Sequence, residues 1–166
     1  MPAGAAFITH EYDEGIAIQQ IIVDAAKELS TKHPVPDAKQ AITAQLEVDR
    51  RQLKELQELG AAHGAKGKTE DVVEGMGDLM TKTLEKATEK GREESDVYEA
   101  HAVLLSLKRK QMDSAGGMIK TATDRGDTEA VTAHRKHERE LKAATQELAE
   151  SLAAFAVRIQ KLPTEK

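Results

Sequence analysis

Apolar residues along this chain recur at helical spacing in five stretches. The first, from about Ala5 to Leu29, aligns Ile18, Ile21, Ile22, Ala25 and Leu29 on one face. STKHPVPD ends it, because Pro34 and Pro36 cannot continue a helix, and Asp37 with Gln40 three residues later predicts the cap of the next. That second helix presents Ile42, Leu46, Leu53, Leu56 and Leu59 and stops in the glycine-rich GAAHGAKGK. The short turn between them predicts an antiparallel pair.

After Thr69, the acids Glu70 and Asp71 suit a helix N-terminus. Val72, Val73, Met76, Leu79, Met80 and Leu84 then form a shorter amphipathic segment ending near Gly91. Ser95 predicts the cap of the next long helix, with Val97, Leu104, Leu107, Ala115 and Met118 at its apolar positions. DRGD breaks that helix, Gly126 supplying the stop and Asp127 or Thr128 the following cap. The last helix runs to about Leu162, before Pro163. Two long pairs separated by about 30 residues that contain a short helix predict an all-α, ferritin-like four-helix bundle with an extra short helix in the long middle crossover. A simple up-down bundle is the alternative.

The 166 residues suit one bundle domain over 1–166, with short disordered tails at 1–5 and 163–166. Aromatics at 2% and charged residues at 32% fit small aliphatic helix faces sheathed in charge. The absence of cysteine removes disulfides, thiolate metal sites and cysteine nucleophiles. A net charge of -5 argues against nucleic-acid binding, and the KRK run at 108–110 is flanked by acidic stretches. No run approaches the roughly 20 apolar residues that span a bilayer, and MPAGAAFITHEYDEG lacks the features of an export signal. The expectation is a cytoplasmic protein that binds neither nucleic acid nor membrane.

Chemistry enters where the last apolar stripe is interrupted. TAHRKHERELK puts His134 and His137 one turn apart on the stripe that continues as Leu141, Leu148, Leu152 and Phe155. In the ferritin-like connectivity, a level count from the shared end brings Glu11, Glu14, Asp49, Gln52, Lys108, Gln111, His134 and His137 near one plane. A ferritin-like di-metal site takes a Glu from each of two helices and a Glu-x-x-His pair from each of the others. That inventory is short here: LEVDRRQLKEL has no histidine, and SLKRKQMDSAGG offers Lys108 and Gln111 where acids are needed. His134 and His137 read either as a metal pair or, more commonly, as core-edge histidines bonded to Glu11, Glu14 or water. Lys108 could pair with Glu14 or Asp49 in place of a metal, although such a lysine more often snorkels to solvent. Gln52 and Gln111 read as polar core spacers. GAKGK lacks the spacing and the preceding strand of a nucleotide loop.

The order of segments resembles the YciE/YciF family of ferritin-like domain proteins over roughly residues 7–162. FITHEYDEG resembles the family's Phe-Leu-His-Glu-Leu opening, QLEVDRRQLKELQELGAAHGA its second helix, TEDVVEGMGDLM its crossover and DRGDTEAV its last inter-helix loop. The resemblance implies a bacterial, stress-associated bundle, often dimeric, with a possible di-metal centre. Two departures bear on that centre. Leu107, Lys108, Arg109, Lys110 and Gln111 stand where the family has Val-Glu-His-Tyr-Glu, and Gln19 or Gln20 stands where it has a Glu. The function expected is therefore a non-catalytic structural or stress-related protein with a degenerate di-metal site and no cofactor. The alternative is an iron-, manganese- or zinc-binding oxidase or store using Glu14, Asp49, His134 and His137. A homodimer is expected, because Val72, Val73, Met76 and Met80 offer more apolar surface than one bundle covers.

Overall fold

The computed structural model describes residues 3–68, 71–89 and 93–163, with the side chains of 71–73 outside that description. Its helices are α1 (Ala5–Lys32), α2 (Pro36–Ala61), α3 (Asp71–Thr88), α4 (Glu94–Asp124) and α5 (Thr128–Gln160). α1 packs on α2 and α4, and α5 packs on α4 and α2, while among the described residues the diagonal pairs α1/α5 and α2/α4 make no close backbone approach. The four long helices therefore form a square. His33 just past α1 meets His101 early in α4, and Gln45 early in α2 meets Glu147 late in α5. These pairings make α1/α4 and α2/α5 antiparallel, so α2 and α4 run the same way, and α3, packed on α1 and α4, lies in the crossover that returns the chain. This is the ferritin-like connectivity, and the up-down alternative is excluded.

Local chemistry moves two of the expected helix starts and decides between the two candidates for a third. α2 begins at Pro36 with Val35 as its N-cap and no side-chain cap, because proline has its φ preset and lacks the N–H that a first turn leaves unpaired. Asp37 sits inside that turn instead. α4 is capped by Glu93, which forms a reciprocal capping box with Asp96, and Ser95 donates to the Glu93 carboxylate at 3.1 Å. Asp127, and not Thr128, caps α5 by accepting from the Ala130 N–H at 3.0 Å. The expected boundaries at Thr69, Glu70 and Gly91 lie outside the described residues.

Two apolar clusters fill the bundle. One joins Ile18, Ile22, Leu29, Ile42, Leu104, Leu107, Leu148 and Phe155; the other, at the opposite end, joins Ile8, Tyr12, Ile16, Leu56 and Met118. Met80 is buried in the first and Met76 packs against it, so these crossover residues serve the bundle's own core, while Leu79 is 53% exposed. Among the described residues, no helix is long and apolar enough to cross a membrane.

The GAKGK loop has a structural explanation. The Asp13 carboxylate accepts the N–H groups of Lys66 at 2.6 Å, Gly67 at 2.7 Å and Lys68 at 3.3 Å, which ties the start of the crossover to α1. Gly67 holds φ at +68°, and a Cβ there would stand 2.7 Å from Ile16 Cγ2. Gly126 has a similar φ of +71° but open space around it. Gly126→Ala is thus expected to cost about 1 kcal/mol from backbone strain alone. Gly67→Ala should cost roughly 2–3 kcal/mol, since overpacking adds to the strain. Urea unfolding of the two variants side by side measures the difference.

Candidate functional site

Between the two apolar clusters lies a layer of buried polar side chains drawn from all four long helices. Gln19 comes from α1, Gln45, Asp49 and Gln52 from α2, Lys108 and Gln111 from α4, and His134 and His137 from α5; each is less than 9% exposed. The Lys108 stem crosses the diagonal of the square from α4 to α2. Its Nζ lies 2.8 Å from both Asp49 carboxylate oxygens and 3.0 Å from Gln45 Oε1. Three acceptors match the three donors of a protonated ammonium, so the geometry is that of an ion pair. Burial pushes the Lys108 amine down and the Asp49 carboxyl up, and each group pulls the other back toward its charged form. The expected snorkelling of Lys108 is corrected here: at 1% exposure, it stays where Asp49 and Gln45 complete its hydrogen bonds.

The carboxamides extend the layer. Gln45 Nε2 donates to Glu147 at 2.7 Å, and Gln52 Nε2 donates to Glu140 at 2.9 Å. Gln19 Nε2 donates to the Asp49 backbone carbonyl at 3.1 Å, and Gln111 Nε2 donates to the Gly15 carbonyl at 2.8 Å and to Gln19 Oε1 at 3.2 Å. Gln19 is buried while Gln20 is exposed, so Gln19 is the α1 member of the layer.

The histidines belong to the same layer but take partners other than Glu11 or Glu14. His134 Nε2 is 3.1 Å from the Tyr12 hydroxyl, and burial holds this imidazole down at about 4 and the Tyr12 phenol up at about 12. Near neutral pH the hydroxyl therefore donates and the neutral ring accepts. His137 Nε2 donates to Glu55 at 2.6 Å. Burial alone would raise the Glu55 carboxyl, but hydrogen bonds from His137, Arg51 and Lys136 outweigh it and hold it at about 2. Glu14 stands at the rim, paired with Lys110 and 3.8 Å from His10. Of the four residues expected as metal ligands, Asp49 is thus held by Lys108, His134 by Tyr12, His137 by Glu55 and Glu14 by Lys110.

Tyr12, Gln45 and Glu55 are the members that the level count passed over. Tyr12 carries the clearest signal: it sits between Ile8 and Ile16 at i, i+4 spacing, and a hydroxyl on such a stripe needs a buried partner.

The donor set does not fit two divalent cations. Among the described residues, no group of three or more His, Cys, Asp or Glu gathers as a metal-binding set. Besides His134 and His137, which are already paired with Tyr12 and Glu55, the buried layer offers neutral amides and one carboxylate already neutralised by an ammonium. Two cations would bring about four positive charges into that low-dielectric layer.

No protein-family model and no curated protein matches the sequence. Among solved structures, the crystal structure of the E. coli stress protein YciF superposes with a TM-score of 0.75 over 94% of this chain and 98% of that one, at 16% identity. The fold is that of YciF. The match extends through both long pairs and the crossover, in line with the family resemblance read from FITHEYDEG and DRGDTEAV. At this identity the likeness establishes the architecture, and the polar layer has to be interpreted from this chain's own side chains.

Proposed function

We propose that this protein is a non-catalytic, stress-related ferritin-like bundle in which a tethered ammonium does the charge work of a di-metal centre. The observation that carries this reading is the position of Lys108 Nζ, 2.8 Å from each Asp49 oxygen and inside the layer where a ferritin-like fold places its cations. In place of two mobile cations held by four carboxylates and two histidines, the chain carries one cation of its own, matched to its single buried carboxylate, so the bundle keeps a satisfied polar layer whatever the metal supply. The stress-related role is supported by the architecture shared with a stress protein and by the motifs that resemble its family. An oxidase or metal store on Glu14, Asp49, His134 and His137 would first have to break four existing pairings.

Elemental analysis of protein purified without an affinity tag, followed by anaerobic Fe²⁺ titration, tests the proposal. The expected result is no stoichiometric metal and a melting temperature unchanged by Fe²⁺, Mn²⁺ or Zn²⁺. Uptake of about two irons per chain with an oxygen-dependent absorbance change would overturn it.

A further inference from the structure

The carboxamide chain ends on an orphan. Gln111 Oε1 has no hydrogen-bond partner although the residue is only 4% exposed. An amide flip does not remove the problem. Gln19 Nε2 must face the Asp49 carbonyl, which fixes Gln19 Oε1 toward Gln111, and Gln111 Nε2 must face both that oxygen and the Gly15 carbonyl. Two backbone acceptors therefore lock both amides, and flipping Gln111 would set its oxygen against two others. Gln111 lines a partly enclosed cavity between the helices, shared with Glu11, Tyr12, Ser114, His134 and His137 and flanked by Leu56, Leu141 and Met118. It leaves about 20 Å³ for the centre of a water molecule, above the roughly 10–15 Å³ that one water requires.

We infer that this cavity is a binding site for a single water-sized, uncharged hydrogen-bond donor, and that its occupant is water. The occupant donates to Gln111 Oε1 and meets polar groups of the facing wall, joining the Lys108–Asp49–Gln19–Gln111 system to the Tyr12–His134 pair. A cation of the same size lacks a ligand set there: Glu11 is the one carboxyl in the lining, beside amides, a phenol and two histidines already paired with Tyr12 and Glu55. The site is independent of the metal question: iron could bind or fail to bind at Asp49 without emptying this cavity. A high-resolution crystal structure of the full chain, with parallel crystals pressurised under xenon, is the test. Water density within hydrogen-bond distance of Gln111 Oε1 and no xenon in the wild-type cavity are expected. Gln111→Met, which removes the acceptor at similar volume, should lose the water and admit xenon. Xenon entering the wild-type cavity, or no water density beside Gln111, would overturn the inference whether or not the variant folds.

Discussion

Replacing Lys108 with methionine is expected to destabilise the protein by about 3–5 kcal/mol at pH 7, the cost typical of stranding one partner of a buried ion pair. Methionine keeps most of the apolar stem, so the loss comes from the Asp49 carboxylate, which is 2% exposed and loses the ammonium seated on both its oxygens. The same loss should shrink as pH falls, because protonating Asp49 removes the stranded charge. The sign is that of a carboxyl whose folded pKa is raised: the native state then binds the proton more tightly than the unfolded chain does. Lys108→Met combined with Asp49→Leu should recover most of the stability, since apolar replacement of a buried pair is commonly neutral or stabilising. Urea unfolding of the two single variants and the double variant closes the cycle. A Lys108→Met cost below about 1 kcal/mol with Asp49 present would show that the pair is not the charge centre of the layer.

The architecture was open to reading from the chain because its signals are local and repeated. The 3.6-residue stripes, the prolines at 34 and 36 and Gly126 mark four long helices, and the short segment between the pairs forces the crossover. Helix starts were less legible where unlike residues compete for the same unpaired N–H groups. Pro36 displaced Asp37 from the cap, and Glu93 displaced Ser95, because cap choice depends on backbone geometry that composition does not record.

In the polar layer, height was legible and azimuth was not. Counting residues from one end placed Asp49, Gln52, Lys108, Gln111, His134 and His137 at one level, and the structure places them in one layer. It also put Glu14 at that level, yet Glu14 faces the rim and pairs with Lys110. Which helices lie diagonally across the square decides that Lys108 reaches Asp49 and that Tyr12 reaches His134. That arrangement is a property of the assembled bundle and of no single stripe.

Acid is expected to weaken the bundle well before its surface carboxylates titrate, through a second buried pair, His33 and His101, at the other end of the bundle from Tyr12 and His134. The Val35 N–H donates to His33 Nδ1 at 3.1 Å, so His33 carries its proton on Nε2, which faces His101 Nδ1 at 3.1 Å; His101 Nε2 in turn faces the Leu148 carbonyl at 3.1 Å. Every ring nitrogen is committed, and a second proton on either ring would set two donors against each other. Burial, with His101 alongside, holds the His33 imidazole down at about 4 from an ordinary 6.5, and burial also lowers His101. The unfolded chain therefore binds more protons than the native state between pH 6.5 and 4, and the contribution is complete above 6.5 and lost as pH falls toward 4. For His33 alone the shift corresponds to about 3 kcal/mol, and His101 adds in the same direction. The acids around this pair do not reverse the sign: Glu94, which faces His33, has its own pKa held down by Arg158, and its loss falls at lower pH. Unfolding free energies measured at pH 7, 5.5 and 4.5 should fall steadily for the wild-type chain. They should fall less steeply for a His33→Gln, His101→Gln variant, with His134 keeping its own share of the slope. Equal slopes in the two proteins would mean that the His33–His101 pair is not what acid breaks.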